Sequence, residues 1–128
     1  MNFKKILICG LPNSGKTTFA KTLVQLTKGV HLNADEIRKE YNDWDFSMEG
    51  RERQALRMKD KANSIVKTGK VCIADFIAPT PKIRKLFNAD CVIWMDTIQE
   101  SIYQDTNELF VPLTKKEYNW RIKDFGES

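Results

Sequence analysis

A loop near the start of the chain is the first place where residue types and spacing could do chemistry. Residues 10–17 read GLPNSGKT and fit the pattern G-x-x-x-x-G-K-[ST]. In this pattern the glycines let successive backbone N–H groups point at phosphate oxygens. The Lys16 ammonium can reach the β and γ phosphates of ATP, and the Thr17 hydroxyl can bind Mg²⁺. The loop therefore predicts a site for ATP with Mg²⁺.

The predicted ATP site includes every residue of this loop and one residue beyond it. Its members are Gly10, Leu11, Pro12, Asn13, Ser14, Gly15, Lys16, Thr17 and Thr18. The apolar run KILIC precedes the loop, and apolar residues at helical spacing follow it. The loop therefore joins a strand to a helix, and the N-terminus of that helix adds a positive end beside the phosphates.

A second candidate group lies in the stretch LNADEIR, where a strand ends and a helix begins. Asp35 could accept the proton of an acceptor hydroxyl, and Arg38 could hold the anionic part of the acceptor. Helix capping is the competing interpretation, with Asn33 as N-cap and Glu36 as its reciprocal partner. Capping leaves Arg38 unexplained, so Asp35 is predicted to be catalytic together with Lys16, and Arg38 to bind substrate.

Two polar residues, Arg51 and Gln54, continue the apolar stripe of a helix predicted over residues 48–68. The stripe itself consists of Ala55, Met58, Ala62, Ile65 and Val66. A charged residue on a buried stripe is costly unless it meets a partner, and an anionic substrate would be one. Other basic residues of this helix lie on another face and are expected to be solvated: Arg53, Arg57 and Lys61.

The elements that must position these residues alternate along the chain. Strands are predicted over residues 5–9, 30–33, 71–76 and 91–96, and helices over 15–26, 34–41, 48–68 and 81–87. Such alternation indicates β-α-β units around a parallel sheet. The predicted fold class is α/β, a three-layer P-loop kinase fold with a mostly parallel sheet of four to five strands. A short helix over 99–107 and an edge strand over 118–122 are also expected.

Composition limits the classes of protein further. The chain has 128 residues, which suits one domain, and a net charge of +4, which suits anionic partners. No apolar run approaches the roughly 20 residues of a membrane span. Its three cysteines lie in apolar runs, as expected of buried thiols in a reducing, cytoplasmic compartment. His31 is the only histidine, which excludes a metal site built from several histidines.

The class of P-loop protein follows from motifs that the sequence lacks. A GTPase would need an Asn-Lys-x-Asp-like motif for the base and an Asp-x-x-Gly switch, and a transporter ATPase would carry Ser-Gly-Gly-Gln. A small kinase remains, in which the carboxyl edge of the sheet faces ATP with a hydroxyl acceptor.

The motifs taken together resemble the adenylylsulfate kinase family. They are GLPNSGKTT, NADEIR, Phe46-Ser47-x-x-x-Arg51 and DFIAP at residues 75–79, and the resemblance extends from about Phe3 to Asp96. That family transfers the γ-phosphate of ATP to the 3′-hydroxyl of adenosine 5′-phosphosulfate, in sulfate assimilation. The resemblance thus implies ATP and adenylyl sulfate as partners and Mg²⁺ as cofactor, and a homodimer is compatible with it.

The resemblance also implies roles for individual residues. Asp35 would contact both Mg²⁺ and the acceptor hydroxyl. Arg38 and Arg51 would bind phosphosulfate oxygens, and Phe46 would stack on the adenine of the substrate. Gln54 stands where the family has Asn, and the backbone near Ile77 would touch the substrate.

The sequence departs from the family pattern at several positions. Asn33 replaces the first acid of Asp-Gly-Asp, Gly50 replaces the acid of Phe-Ser-x-x-Asp-Arg, and Thr80-Pro81 replaces Tyr-Arg. Beyond Asp96 the family has a lid rich in Arg and Lys, whereas this chain has no basic residue there until Lys115. We therefore expect a single domain, 1–128, with a core over 1–96 and a reduced lid and C-terminal segment over 97–128.

Two other functions remain open at this point. A polynucleotide or nucleoside kinase would use the same loop and an Asp-x-x-Arg element, and Trp44, Phe46 and the positive charge would suit a nucleic-acid partner. A nucleotide-binding module without turnover would account for the reduced lid, because phosphoryl transfer needs cations near the γ-phosphate.

Overall fold

The computed structural model describes residues 3–124, which form five strands and five helices. The strands are β1 (Lys5–Cys9), β2 (Val30–Asn33), β3 (Cys72–Asp75), β4 (Cys91–Met95) and β5 (Trp120–Ile122). The helices are α1 (Lys16–Thr27), α2 (Ala34–Tyr41), α3 (Met48–Lys67), α4 (Pro81–Phe87) and α5 (Gln104–Leu109). All strand pairs are parallel, and the sheet order is β2-β3-β1-β4-β5.

Helices cover both faces of this sheet, which makes the three predicted layers. Every residue of β1 is buried, and its alternate side chains point to opposite faces. Leu7 and Cys9 pack in the cluster that holds Ala55 and Met58 of α3, whereas Ile8 packs in the cluster that holds Ala20 of α1. The α/β fold class predicted from the sequence is confirmed.

The starts of the helices bring chemically useful residues to one edge of the sheet. Asn33 ends β2 and caps α2, because its side-chain oxygen accepts a hydrogen bond from the backbone N–H of Glu36 at 3.2 Å. Ser47 caps α3 in the same way, and Thr80 caps α4. Strands β1, β2 and β3 all end at this edge, so the residues that follow them meet there.

The region after β4 departs from the sequence prediction. The helix expected over 99–107 is α5, and it begins only at Gln104. Ser101 and Asn107 explain the late start: the Ser101 N–H donates to Asn107 Oδ1 at 2.7 Å, and Asn107 Nδ2 donates to the Ser101 carbonyl at 2.8 Å. These side-chain bonds occupy backbone groups that an earlier helix would need.

The expected edge strand over 118–122 is present, shortened to the three residues of β5. Across residues 3–124, no helix combines the length and the apolar character that a membrane crossing would require.

Candidate active site

The loop between β1 and α1 has the backbone geometry of a phosphate cradle. Gly10, Asn13 and Gly15 have φ angles of +150°, +65° and +97°, in the region that favours glycine. A Cβ at Gly10 would lie 2.6 Å from the Met95 carbonyl oxygen, so this position has no room for a side chain. The loop therefore curls tightly against the end of β4 before α1 begins at Lys16.

Lys16 lies inside this loop. Its side chain is buried, and Nζ donates to the Leu11 carbonyl at 2.8 Å. Burial lowers the pKa of the ammonium, and the carboxylates of Asp75 and Asp35 act against that shift. The ammonium is thus held in place by one hydrogen bond, close to two negative groups.

Two cavities meet at the loop. One has a volume of about 310 Å³ and is lined by Asn13, Gly15, Lys16, Thr17 and Thr18. The other has a volume of about 670 Å³ and lies between the loop, α2, α3, the 76–79 segment and residues 103–106, which belong to the segment 97–124 that is called the lid. Predicted residues that line this larger cavity are Pro12, Asn13, Lys16, Thr17, Asp35, Arg38, Phe46, Arg51, Gln54 and Ile77. Because Lys16 and Thr17 line both cavities, a group bound at the loop can face both.

Thr17 is hydrogen-bonded to an acid to which the sequence analysis assigned no role. Asp75, at the end of β3, is 3% exposed, and its Oδ2 accepts from Thr17 Oγ1 at 2.8 Å. The same oxygen accepts from His31 Nε2 at 3.0 Å and from Asn33 Nδ2 at 3.1 Å. Burial alone would raise the pKa of Asp75, yet these three donors and Lys16 hold it below its ordinary value. A signal was present, since an acid ends a buried strand next to β1.

Asp75 also bears on the presence of Asn33 where the family has the first acid of Asp-Gly-Asp. Asn33 stands where the family has an acid, and Asn33 and Asp75 are register partners across β2 and β3. A carboxylate is therefore present beside position 33, supplied by the neighbouring strand. Asp35 lies two residues further on, exposed in the first turn of α2 and facing the larger cavity.

Arg38 and Arg51 lie deep in the wall of the larger cavity, with exposures of 4% and 6%. Arg38 Nη1 donates to the carbonyls of Asp43 at 3.0 Å and Asp45 at 3.2 Å. Arg51 Nε donates to the Phe46 carbonyl at 2.9 Å, and Nη2 donates to a threonine hydroxyl of α5 at 3.2 Å. Burial lowers the pKa of both groups. Within residues 3–124 neither guanidinium forms an ion pair with a carboxylate.

Phe46 lies beside both arginines. The guanidinium carbon of Arg38 is 4.2 Å from the centre of the ring, and that of Arg51 is 5.4 Å from it. The ring is nevertheless 45% exposed at the cavity.

Gln54, deeper in the wall, donates from Nε2 to the Ala34 carbonyl at 2.9 Å. The Ile77 carbonyl accepts from the Gly10 N–H at 3.4 Å, which joins the 76–79 segment to the loop.

The basic residues of α3 that were expected to be solvated retain contact with solvent, and they also form ion pairs at the surface. Arg53 Nε lies 2.8 Å and Arg57 Nη1 lies 2.7 Å from Asp43 Oδ2, and Lys61 lies 2.8 Å from Glu40. The 42–47 segment returns across this face of α3 and supplies Asp43, whereas Glu40 belongs to α2. The two pairs with Asp43 therefore brace the segment that carries Trp44 and Phe46.

Gly50 is explained by the same segment. A Cβ at position 50 would lie 2.1 Å from the Asp45 carbonyl oxygen and 2.5 Å from the Asp45 carboxyl carbon. Asp45 thus occupies the space that an acid at position 50 would fill. This close approach accounts for Gly50 where the family has the acid of Phe-Ser-x-x-Asp-Arg.

Among residues 3–124, no cation lines the lid side of the larger cavity. Tyr103, Asp105 and Thr106 line it there, and among the described residues the cations that line the cavity are Lys16, Arg38 and Arg51. Arg121 is paired with Asp96 at 2.6 Å and does not line the cavity.

The lid is anchored by Arg84, a buried residue of α4. Its guanidinium donates to the carbonyls of Ala78 at 2.9 Å, Pro79 at 3.2 Å and Val111, and pairs with Glu117 at 2.9 Å. Ala78 has a φ of +46°, and its carbonyl bond to Arg84 helps to hold this conformation. The 76–79 segment and the lid therefore share one support.

Comparison with known proteins agrees with this geometry. Residues 3–110 match the family described as adenylylsulphate kinase. The chain belongs to this family.

Solved structures show the same fold. A Mycobacterium tuberculosis APS kinase in complex with AMPPNP and APS superimposes with a TM-score of 0.79 at 19% identity, covering 98% of this chain and 90% of that chain. A shikimate kinase from Acinetobacter baumannii superimposes with a TM-score of 0.65 at 16% identity, covering 98% of this chain and 86% of that chain. The fold is that of P-loop kinases.

Curated relatives at 28% identity are adenylate kinases of Mesomycoplasma hyopneumoniae. The match covers 91% of this chain, and the chain spans 63% of the length of these relatives.

Proposed function

We propose that this member of the adenylylsulphate kinase family transfers the γ-phosphate of ATP to a hydroxyl of an anionic acceptor, and that the acceptor is adenosine 5′-phosphosulfate. One observation carries the proposal: two buried guanidiniums, Arg38 and Arg51, line the same cavity as Lys16 without a carboxylate partner in residues 3–124. Buried charges of this kind are costly unless a ligand completes them. A phosphosulfate group offers the oxygens that guanidiniums bind best.

The loop would bind ATP, the phosphate donor, and this is the donor half of the proposed reaction. Its backbone N–H groups and Lys16 would hold the phosphates of ATP, with the γ-phosphate directed at the larger cavity. Thr18 and the other loop residues named above would complete this site.

The metal site fits Mg²⁺ by its donors. The Thr17 hydroxyl and the carboxylates of Asp35 and Asp75 face the cavity, and hard oxygen ligands are those that Mg²⁺ prefers. Within the described residues no cluster of three or more acidic, histidine or cysteine side chains forms a closed cage, which agrees with an ion held largely by the nucleotide phosphates. When bound, Mg²⁺ would neutralise charge on the β and γ phosphate oxygens.

The acceptor half belongs to α2, α3 and the 76–79 segment. Asp35 would accept the proton from the acceptor hydroxyl as the phosphoryl group arrives. Phe46 would stack its exposed face on the adenine, and Gln54 and the backbone at Ile77 would contact the rest of the acceptor. Arg38 and Arg51 would hold its anion and so orient the hydroxyl between Asp35 and the γ-phosphate.

A polynucleotide or nucleoside kinase is the second candidate. It is favoured by Trp44 and Tyr103, which are 51% and 52% exposed at the mouth of the larger cavity, where further bases could stack.

An acceptor panel tests the proposal directly. The protein is incubated with ATP and Mg²⁺ and, separately, with adenylyl sulfate, AMP, adenosine and 5′-hydroxyl oligonucleotides, and each product is identified by mass spectrometry. We expect 3′-phosphorylated adenylyl sulfate as the dominant product. A phosphorylated oligonucleotide, with adenylyl sulfate unchanged, would replace this proposal by the second candidate. ATP binding without any product would favour a binding module.

A further inference from the structure

His31 makes a contact that the proposed function does not use. It lies within β2, its side chain is 20% exposed, and its Nε2 is 3.0 Å from Asp75 Oδ2. A carboxylate only accepts hydrogen bonds, so the imidazole donates from Nε2.

The strand register makes this contact depend on side-chain length. His31 is the direct partner of Ile73, whereas Asp75 lies two residues further along β3 on the same face. Two residues along a parallel strand are roughly 6.6 Å apart, so a long side chain is needed to span this offset. A glutamine can place an amide nitrogen near the position of Nε2, whereas an asparagine falls short of it.

Three donors therefore meet on one oxygen of Asp75. His31, Asn33 and Thr17 all bond Oδ2, and no hydrogen bond among the described residues ends on Oδ1. This arrangement fixes the carboxylate and directs the hydroxyl hydrogen of Thr17 toward it. The lone pairs of Thr17 Oγ1 are then left for a metal ion.

We propose that His31 is a positioning residue for the Thr17 hydroxyl, acting through the Asp75 carboxylate, and that it sets how strongly Mg²⁺ strengthens nucleotide binding at the loop. This inference rests on the donor half of the proposed function and is independent of which acceptor is used. Partners that orient a metal ligand in this way contribute substantially to metal affinity.

The test compares His31→Gln with His31→Asn, two polar variants that differ in reach. Binding of AMPPNP is measured by calorimetry with and without Mg²⁺, and the ratio of the two affinities is the readout. We expect similar ratios for wild type and His31→Gln. For His31→Asn we expect the ratio to be roughly ten-fold lower. Affinity without Mg²⁺ should be the same in all three proteins, because Lys16 and the loop are untouched.

Each alternative outcome overturns a defined statement. Equal ratios in wild type and both variants would show that His31 has no influence on the metal site. An equal loss in both variants would show that the donated hydrogen bond is not the cause, since His31→Gln retains it. A changed melting temperature with an unchanged ratio would make His31 structural only. No Mg²⁺ effect in the wild type would refute the donor half of the proposed function, and this inference with it.

Discussion

The two sides of the larger cavity are built in different ways. On the sheet side, Lys16, Arg38 and Asp75 are buried, hydrogen-bonded and placed by regular strands and helices. On the lid side, the lining comes from an irregular segment and from α5, a helix of six residues. All cations of the described cavity wall belong to the first side. On this difference we expect the sheet edge to carry the chemistry and the lid to enclose it.

The largest effect is expected from Lys16→Ala on the sheet side. Loss of the ammonium at the β and γ phosphates should lower kcat by at least about 10³, because a fixed charge at the transferring group is removed. The melting temperature should change little, since Lys16 contacts the loop and not the core. Lys21→Ala, on the exposed surface of α1, is the matched control and should retain wild-type turnover. Normal turnover in a folded Lys16→Ala protein would remove the loop from the mechanism.

Asp35→Asn should separate chemistry from binding. The amide keeps the shape of the side chain but cannot take the proton, so kcat should fall by roughly 10²–10⁴, while the affinity for the nucleotide without Mg²⁺ stays the same because the loop is untouched. Steady-state kinetics and calorimetry with AMPPNP measure the two effects. Glu36→Gln removes the neighbouring carboxylate of the same helical turn and should leave kcat unchanged. If the two variants behave alike, Asp35 stabilises only the helix terminus.

Arg51→Ala tests the part of the cavity wall that is proposed to bind the acceptor. Removal of a charge-assisted contact should weaken binding of adenylyl sulfate by about 1.5–3 kcal/mol and spare ATP. Adenosine lacks the anion, so it should be a poor acceptor for the wild type and lose little more in the variant. Lys67→Ala, at the far end of the same helix, is the control. Equal losses for adenylyl sulfate and adenosine would show that Arg51 shapes the pocket without binding the anion.

The smallest effect is expected on the lid side, from Glu117→Gln. Burial tends to raise the pKa of Glu117, but hydrogen bonds from Thr114 and Arg84 and the charge of Arg84 hold it below its ordinary value. Stability from this group is therefore present above the ordinary glutamate pKa and is lost as the pH falls through the lowered value. At pH 7 the variant should be less stable by about 1 kcal/mol, and the difference should shrink in acid.

Urea unfolding at pH 7 and at acid pH measures this change. Glu100→Gln, exposed in the same segment, serves as the control. A difference that is independent of pH would mean that the Arg84–Glu117 pair does not stabilise the lid.

The same contrast between the two sides explains what the sequence could predict. KILIC and GLPNSGKT are local patterns, and they locate β1, the loop and α1 to within a residue. The start of α5 depends on bonds between Ser101 and Asn107, which have no periodic signature. Asp75 was visible as an acid at a strand end, but its bonds to Thr17 and His31 join residues that are 58 and 44 positions apart. Local patterns do not encode such contacts.

The register pair Asn33 and Asp75 has a consequence for how this sequence can change. The two positions share one carboxylate, so an acid added at position 33 or removed from position 75 alters the charge beside Thr17. An acid introduced at position 33 would face Asp75 and repel it, whereas the double exchange Asn33→Asp with Asp75→Asn would keep the net charge. We therefore expect the double exchange to be tolerated better than either single charge change, which would make the two positions a coupled pair in a library of variants of this chain.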